Sequence, residues 1–210
     1  MSERALLIGL GLVCAVALGA EPMEGADYAV LTPRVVPADA RIEVVEFFYY
    51  GCAACARFEP AFEAWSRAVA SDVNVVRMPV VDASPRWTAL ARLYFVLDAM
   101  QLTDTLHADA FRAIHQRRHD LTQRDVQLQW AQEHGVDRAK FSQARDSVQI
   151  SQHLDSARDL AQRYQVRNTP SLIVDGHYLV SGAITGDLNT LLPIAEALID
   201  KVRRERRAAK

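Results

Sequence analysis

The chain has 210 residues, with 24 Lys and Arg against 26 Asp and Glu and a formal net charge of −2. Its length suits one globular domain with a sizeable core, and its charge balance gives no reason to expect a nucleic-acid partner. Only 3 residues are cysteine, which excludes a framework of structural disulfides as the source of stability.

Ala5 to Leu18 is an apolar run between Arg4 and the small residues that precede Glu21-Pro22. It reads as a secretory signal over residues 1–19 and is short of the ~20 apolar residues of a membrane span. Cleavage after Gly19 places Ala17 and Gly19 at the small-residue positions. Glu3 weakens the charged region, so cleavage after Ala17 or Ala20, or retention as an anchor, stays open. Cys14 invites a lipoprotein reading that bulky Val13 opposes. Removing the segment takes away Glu3 and Arg4 together, keeps the net charge, and leaves Cys52 and Cys55 as the remaining thiols.

Tyr28 to Leu31 is expected to form a short edge strand before Pro33. Ile42 to Tyr50 is apolar on both parities and rich in Val and aromatics, as a central strand buried on both faces should be. Directly behind it Cys52-Ala53-Ala54-Cys55 opens a helical stretch to Ala70 in which Phe58, Phe62 and Trp65 face a core. At a helix start the free N–H groups and the macrodipole favour a thiolate at Cys52. Cys55 lies one turn deeper, close enough to pair with it, so Cys52 can attack and Cys55 resolve. Half of a zinc site is the competing reading, but no further thiolates or His pair stand nearby. His115 and His119 have ligand spacing and are expected to form one solvated helix face. No metal and no cofactor is called for.

Val73 to Val81 reads as the next strand, interrupted near Pro79. From Trp87 to about Tyr164 the pattern is helical, with Leu90, Leu93, Tyr94 and Leu97 as the first stripe. This is too long for a crossover and implies an inserted helical subdomain. Ser171 to Val174, Asp175-Gly176 and Tyr178 to Val180 form a hairpin with a two-residue turn. A terminal helix carries Leu188 to Leu198, and the Lys201 to Lys210 cations suit its end. The resulting division is 1–19 signal, 20–86 first α/β part, 87–165 helical insertion and 166–210 second α/β part.

Glu46-Phe47-Phe48-Tyr49-Tyr50-Gly51-Cys52-Ala53-Ala54-Cys55, then Phe58-Glu59 and Asn168-Thr169-Pro170-Ser171, resembles the DsbA type of bacterial periplasmic thiol:disulfide oxidoreductase. The resemblance implies an α/β thioredoxin fold with an inserted all-helical subdomain. It also implies periplasmic location, reduced secreted proteins as substrates and recharging by a DsbB-type membrane quinone oxidoreductase. By position Cys52 becomes the attacking thiol and Cys55 the resolving one, while Thr169 and a cis Pro170 lie against them and bind the substrate strand. An ordinary trans proline starting a strand is the alternative for Pro170. Glu46 matches the family's buried acid, which exchanges a proton with Cys55; burial should raise its proton affinity, whereas a strand end in solvent would leave it ordinary. Glu59 matches a recurrent acid that a helix surface could simply expose.

The departure is Ala53-Ala54, where typical members carry Pro-His. Losing the His should weaken the Cys52 thiolate and make a milder oxidant. A reductase or isomerase of the same chemistry therefore remains an alternative, although no dimerisation domain is evident and a monomer is expected. A non-enzymatic Cu(I) carrier is a third reading, opposed by the lack of Met or His beside the cysteines.

Overall fold

The computed structural model describes residues 21–35 and 40–209; the signal-like run and Cys14 lie outside them. Five strands, β1 (Ala29–Val30), β2 (Ile42–Phe48), β3 (Val73–Pro79), β4 (Ser171–Val174) and β5 (Tyr178–Ser181), form one sheet in the order β1-β5-β4-β2-β3. β2 is central, parallel to β3 and antiparallel to β4. Helix α1 (Ala53–Ala68) joins β2 to β3 as a crossover. Between β3 and β4 come α2 (Pro85–Ala99), α3 (Thr103–His115), α4 (Arg124–Glu133), α5 (Arg138–Arg145) and α6 (Val148–Arg163). The short α7 (Gly182–Thr185), a 3-10 turn at Leu188–Thr190 and α8 (Leu191–Ala208) complete the chain. This is the thioredoxin arrangement with a helical block inserted. α2 begins before the apolar stripe because Pro85 fits the first helical turn.

The parity of β2 sorts the core into layers. Ile42 and Val44 pack with Phe58 and Phe62 of α1 and with Ile194, Leu198 and Val202 of α8. Val45 and Phe47 point the other way, toward Ala161 of α6 and Tyr164. Phe48 and Tyr50 enter a third cluster with Cys55, Leu93, Leu97 and Phe111, through which the helical block meets the sheet. Each such buried ring contributes about 1.5–3 kcal/mol of transfer free energy, so burial rather than cross-linking accounts for the stability of the sheet.

At the β4–β5 hairpin Asp175 and Gly176 have φ of 52° and 64°, and the His177 N–H closes the turn on Val174 O at 3.0 Å. The register pairs Val174 with Tyr178, so His177 is an extra residue and the connection is longer than the two-residue loop expected. Buried Asp175 accepts a hydrogen bond from Arg206 at 2.6 Å and pairs with Arg34. Arg203 binds Asp72 at 2.6 Å, and Lys201 stands over the Tyr28 and Tyr178 rings. The C-terminal cations thus fasten α8 to the sheet.

Candidate active site

After β2 the chain turns through Tyr49, Tyr50 and Gly51 into α1, and Cys52 caps that helix. Its backbone is extended (φ −84°, ψ 117°), and its Sγ accepts the Cys55 N–H at 3.4 Å. Gly51 leaves room for the Tyr49 ring: a Cβ on it would lie 2.5 Å from that ring and displace it. That ring is itself stacked on Trp87 with centroids 3.8 Å apart. Cys52 is half-buried and Cys55 is 1% exposed, and both are free thiols.

The loop before β4 closes over the pair. The Thr169–Pro170 bond is cis, and the Cys52 thiol donates to the Thr169 carbonyl at 3.4 Å. Ser171 Oγ donates to Asn168 O at 2.7 Å and fixes the loop from behind. The four residues Cys52, Cys55, Thr169 and Pro170, separated in sequence, are brought together.

The two sulfurs differ in proton affinity. Cys52 is lowered to about 5, first by the hydrogen bond that Cys55 donates to it; partial burial opposes this, and Thr169 with the N–H groups of Cys55 and Ala54 adds to it. No side chain of the intervening dipeptide takes part. Cys55 moves the other way: burial pushes its thiol up, and the neighbouring Cys52 sulfur pushes it further. One sulfur that readily ionises and one that keeps its proton are therefore distinguished within the motif.

Glu46 lies on the face of β2 that carries Ile42 and Val44, 1% exposed. Burial raises its proton affinity well above the usual carboxylate range, repulsion from Glu59 adds to this, and Arg77 opposes it. Arg77 is the register partner of Glu46 on β3, yet its Nε stands 3.5 Å from Glu46 Oε2 and neither atom has a hydrogen-bond partner among the described residues. The guanidinium spends its Nη2 donors on Glu63 at 2.5 Å and Glu59 at 3.3 Å. Glu59, which a helix surface could have exposed, is 4% exposed.

Sequence reasoning missed three participants. Arg77 was hidden inside a strand-like run; only its alternation with Val73 and Val75 onto the Glu46 face marks it. Tyr50, expected to end the strand, lies beyond β2 in the turn to α1, and His107 sits on α3 with no local motif to mark it. His107 is 4% exposed, with Nδ1 2.7 Å from the Tyr50 hydroxyl and Nε2 3.3 Å from Glu59 Oε2. The expected solvated face of His115 and His119 is corrected: α3 ends at His115, and the half-buried His115 donates through Nε2 to the Tyr50 carbonyl at 2.8 Å. Among the described residues no group of three or more His, Cys, Asp or Glu is placed to hold a metal, and no helix is long and apolar enough to cross a membrane.

Two grooves lie on the elements that carry the site. One of about 510 Å³ borders Thr169 and is lined by Val81, Trp87, Gln162 and Asn168. Another, of about 540 Å³, runs along Phe58 and Ala61 of α1 opposite Leu188 and Leu192.

Residues 74–189 match the DSBA-like thioredoxin domain. The thiol:disulfide interchange protein DsbA of Pseudomonas syringae pv. tomato is 36% identical over 99% of this chain and 100% of its own. That of Bordetella pertussis is 34% identical over 92% and 96%. The crystal structure of Pseudomonas aeruginosa DsbA superposes with a TM-score of 0.83 at 31% identity, covering 87% of this chain and 95% of that one. Reduced DsbA1 from Neisseria meningitidis gives 0.78 at 29% identity, over 90% and 100%. A dithiol with divided proton affinities at the start of α1, on a thioredoxin sheet shared with these proteins over nearly their whole length, makes the chain a thiol:disulfide oxidoreductase and a member of the DsbA family.

Proposed function

We propose that the chain acts in the periplasm as an oxidase of reduced secreted proteins. In its disulfide form a substrate thiolate attacks Cys52 Sγ and forms the intermolecular disulfide. The Cys52–Cys55 bond breaks and Cys55 departs, taking up a proton that Glu46 supplies. A second substrate thiolate then attacks its own sulfur in the mixed disulfide and releases Cys52 as thiolate. Two electrons pass from the substrate to the enzyme, and a DsbB-type quinone oxidoreductase removes them. Thr169 and Pro170 present the loop along which the substrate backbone pairs, with the flanking grooves taking its side chains.

The observation that carries this reading is the divided proton affinity of the two cysteines, because a Cys52 thiolate at neutral pH is a good leaving group in the second step. A folded-state value below the ordinary ~8.5 of a thiol stabilises the reduced protein. The stabilisation is complete above pH ~8.5 and is lost as pH falls toward about 5. Alkylation of the reduced protein against pH tests it: Cys52 should label with a midpoint near 5 while Cys55 is spared. Cys55→Ser should accumulate mixed disulfides with reduced substrate in an oxidising extract. Labelling of both thiols at equal rates would overturn the assignment.

A further inference from the structure

The carboxylates below the dithiol are unequally served. Glu59 accepts two N–H donors, Arg77 Nη2 on Oε1 and His107 Nε2 on Oε2, both at 3.3 Å. Glu46 Oε2 accepts none. Which of the two holds a proton depends on what keeps the His107 donor in place. The Tyr50 hydroxyl answers that: it is 1% exposed, burial keeps it protonated, and it lies 2.7 Å from His107 Nδ1. A neutral imidazole whose Nδ1 accepts the Tyr50 O–H must carry its hydrogen on Nε2, where it faces Glu59.

We propose that His107 is a positioning residue for the thiol–disulfide chemistry: locked by Tyr50, it aims its Nε2 hydrogen at Glu59 and so concentrates the donors of the cluster on that acid, leaving Glu46 Oε2 without one. Its functional consequence rests on the reading of Glu46 as the proton donor to Cys55. The groups that face the imidazole are Tyr50 from the turn after β2, Glu59 from α1 and Tyr94 from α2. Phe48 and Phe111 complete its walls, with ring centroids 5.0 Å and 5.4 Å away. Tyr94 does not compete, since its hydroxyl donates to Arg77 O at 3.2 Å. Behind Glu59 stand Arg77, Glu63 and Glu46, so a change at His107 reaches Glu46 through one shared guanidinium and one like charge. The Tyr50 that locks the imidazole is two residues from Cys52, so the same contact joins the helical block to the catalytic turn.

Carbon-13 titration of the glutamate carboxyls, with the Glu46 signal assigned by its loss in Glu46→Gln, tests the proposal without relying on activity. In His107→Phe the packing is kept and the donor lost. Glu59 then competes for the proton, and the Glu46 midpoint should fall by roughly one pH unit. In His107→Gln the amide can accept from Tyr50 and donate to Glu59, so the midpoint should stay within about 0.3 unit of the native one. An unmoved midpoint in a His107→Phe protein with native near-UV circular dichroism would overturn the proposal. A raised midpoint would overturn it too, because His107 would then be acting as a buried cation. If Glu46 plays no part in exchange, Glu46→Gln leaves the pH profile of the reaction unchanged while these titrations still report on His107.

Discussion

Two buried carboxylates in this molecule behave in opposite ways. Asp109 of α3, 7% exposed, accepts from Arg117 at 2.5 Å, Trp130 Nε1 at 3.1 Å and Arg112 at 3.1 Å, with His134 Nε2 at 2.9 Å. Burial alone would raise its proton affinity, but the hydrogen bonds from Arg117, Trp130 and Arg112 win and lower it to about 2. Glu46 has one cation at 3.5 Å, out of hydrogen-bond geometry, and faces two further carboxylates. Desolvation dominates there, and the acid keeps its proton. The lesson is that donor count, together with depth of burial, separates an acid held ionised at the heart of the helical block from one whose proton affinity rises. The thiols repeat the contrast, with Cys52 rich in donors and Cys55 poor in them.

The largest effect is expected at the donor-rich end. Asp109→Ala strands Trp130 Nε1 inside the helical block, while Arg112, Arg117 and His134, with side chains 49%, 41% and 28% exposed, can turn to water. The cost should be about 2–3 kcal/mol in urea denaturation, with Cys52 alkylation unchanged. Because the folded value lies below the ~3.9 of a free Asp, the stabilisation from ionised Asp109 is present above that pH and disappears as pH falls toward about 2. A loss below 0.5 kcal/mol would mean that the donors around Asp109 are as well solvated without it.

Glu46→Gln should act with the opposite sign. An acid raised by folding carries no penalty below the unfolded value of ~4.3 and an increasing one as pH rises toward its folded value. Arg77 keeps Glu59 and Glu63 as partners after the change. The variant should therefore be more stable by about 1–2 kcal/mol at neutral pH and above, while its dithiol exchange slows and keeps only the pH dependence of Cys52. Equal stability across the whole range would place Glu46 among ordinary solvated carboxylates and dissolve the contrast with Asp109.

Much of this was legible in the residues. The β2 run and the thiol pair opening α1 are local patterns that specify their own geometry, whereas the cis bond at Thr169-Pro170 was implied by the family resemblance, a trans proline being the local alternative. Glu46 was legible because its parity matched Ile42 and Val44. Arg77 and His107 were not, for a physical reason: each acquires meaning across elements. Arg77 matters through the β2–β3 register, and His107 through the rotation that turns that side of α3 toward Glu59. A histidine among the mixed polar and apolar residues of Thr103–Phe111 has the same local signature whether it meets solvent or a carboxylate. His115 and His119 show the converse, since a spacing that looks helical is broken where α3 ends.

The smallest effect is expected where a donor is added to an acid that already has several. Ala54→His would supply the family-like imidazole beside Cys52. Its absence was expected to weaken the thiolate, yet Cys52 is lowered to about 5 by Cys55, Thr169 and backbone N–H groups alone. The donors from Cys55 and the Ala54 N–H already occupy much of the sulfur's accepting capacity, so an added imidazole competes with them more than it supplements them. The potential against glutathione should become more positive, since stabilising the thiolate favours the reduced form. A rise of about 30 mV, or 1.4 kcal/mol for this two-electron couple, is the size of one charge-assisted hydrogen bond made at no cost to the others; about half of that is the expected result. A rise well beyond 30 mV would show that the backbone donors leave the Cys52 sulfur undersupplied, and would set it apart from Asp109. An unchanged or more negative potential in a folded variant would instead assign the poise to the helix start and the Thr169-Pro170 loop.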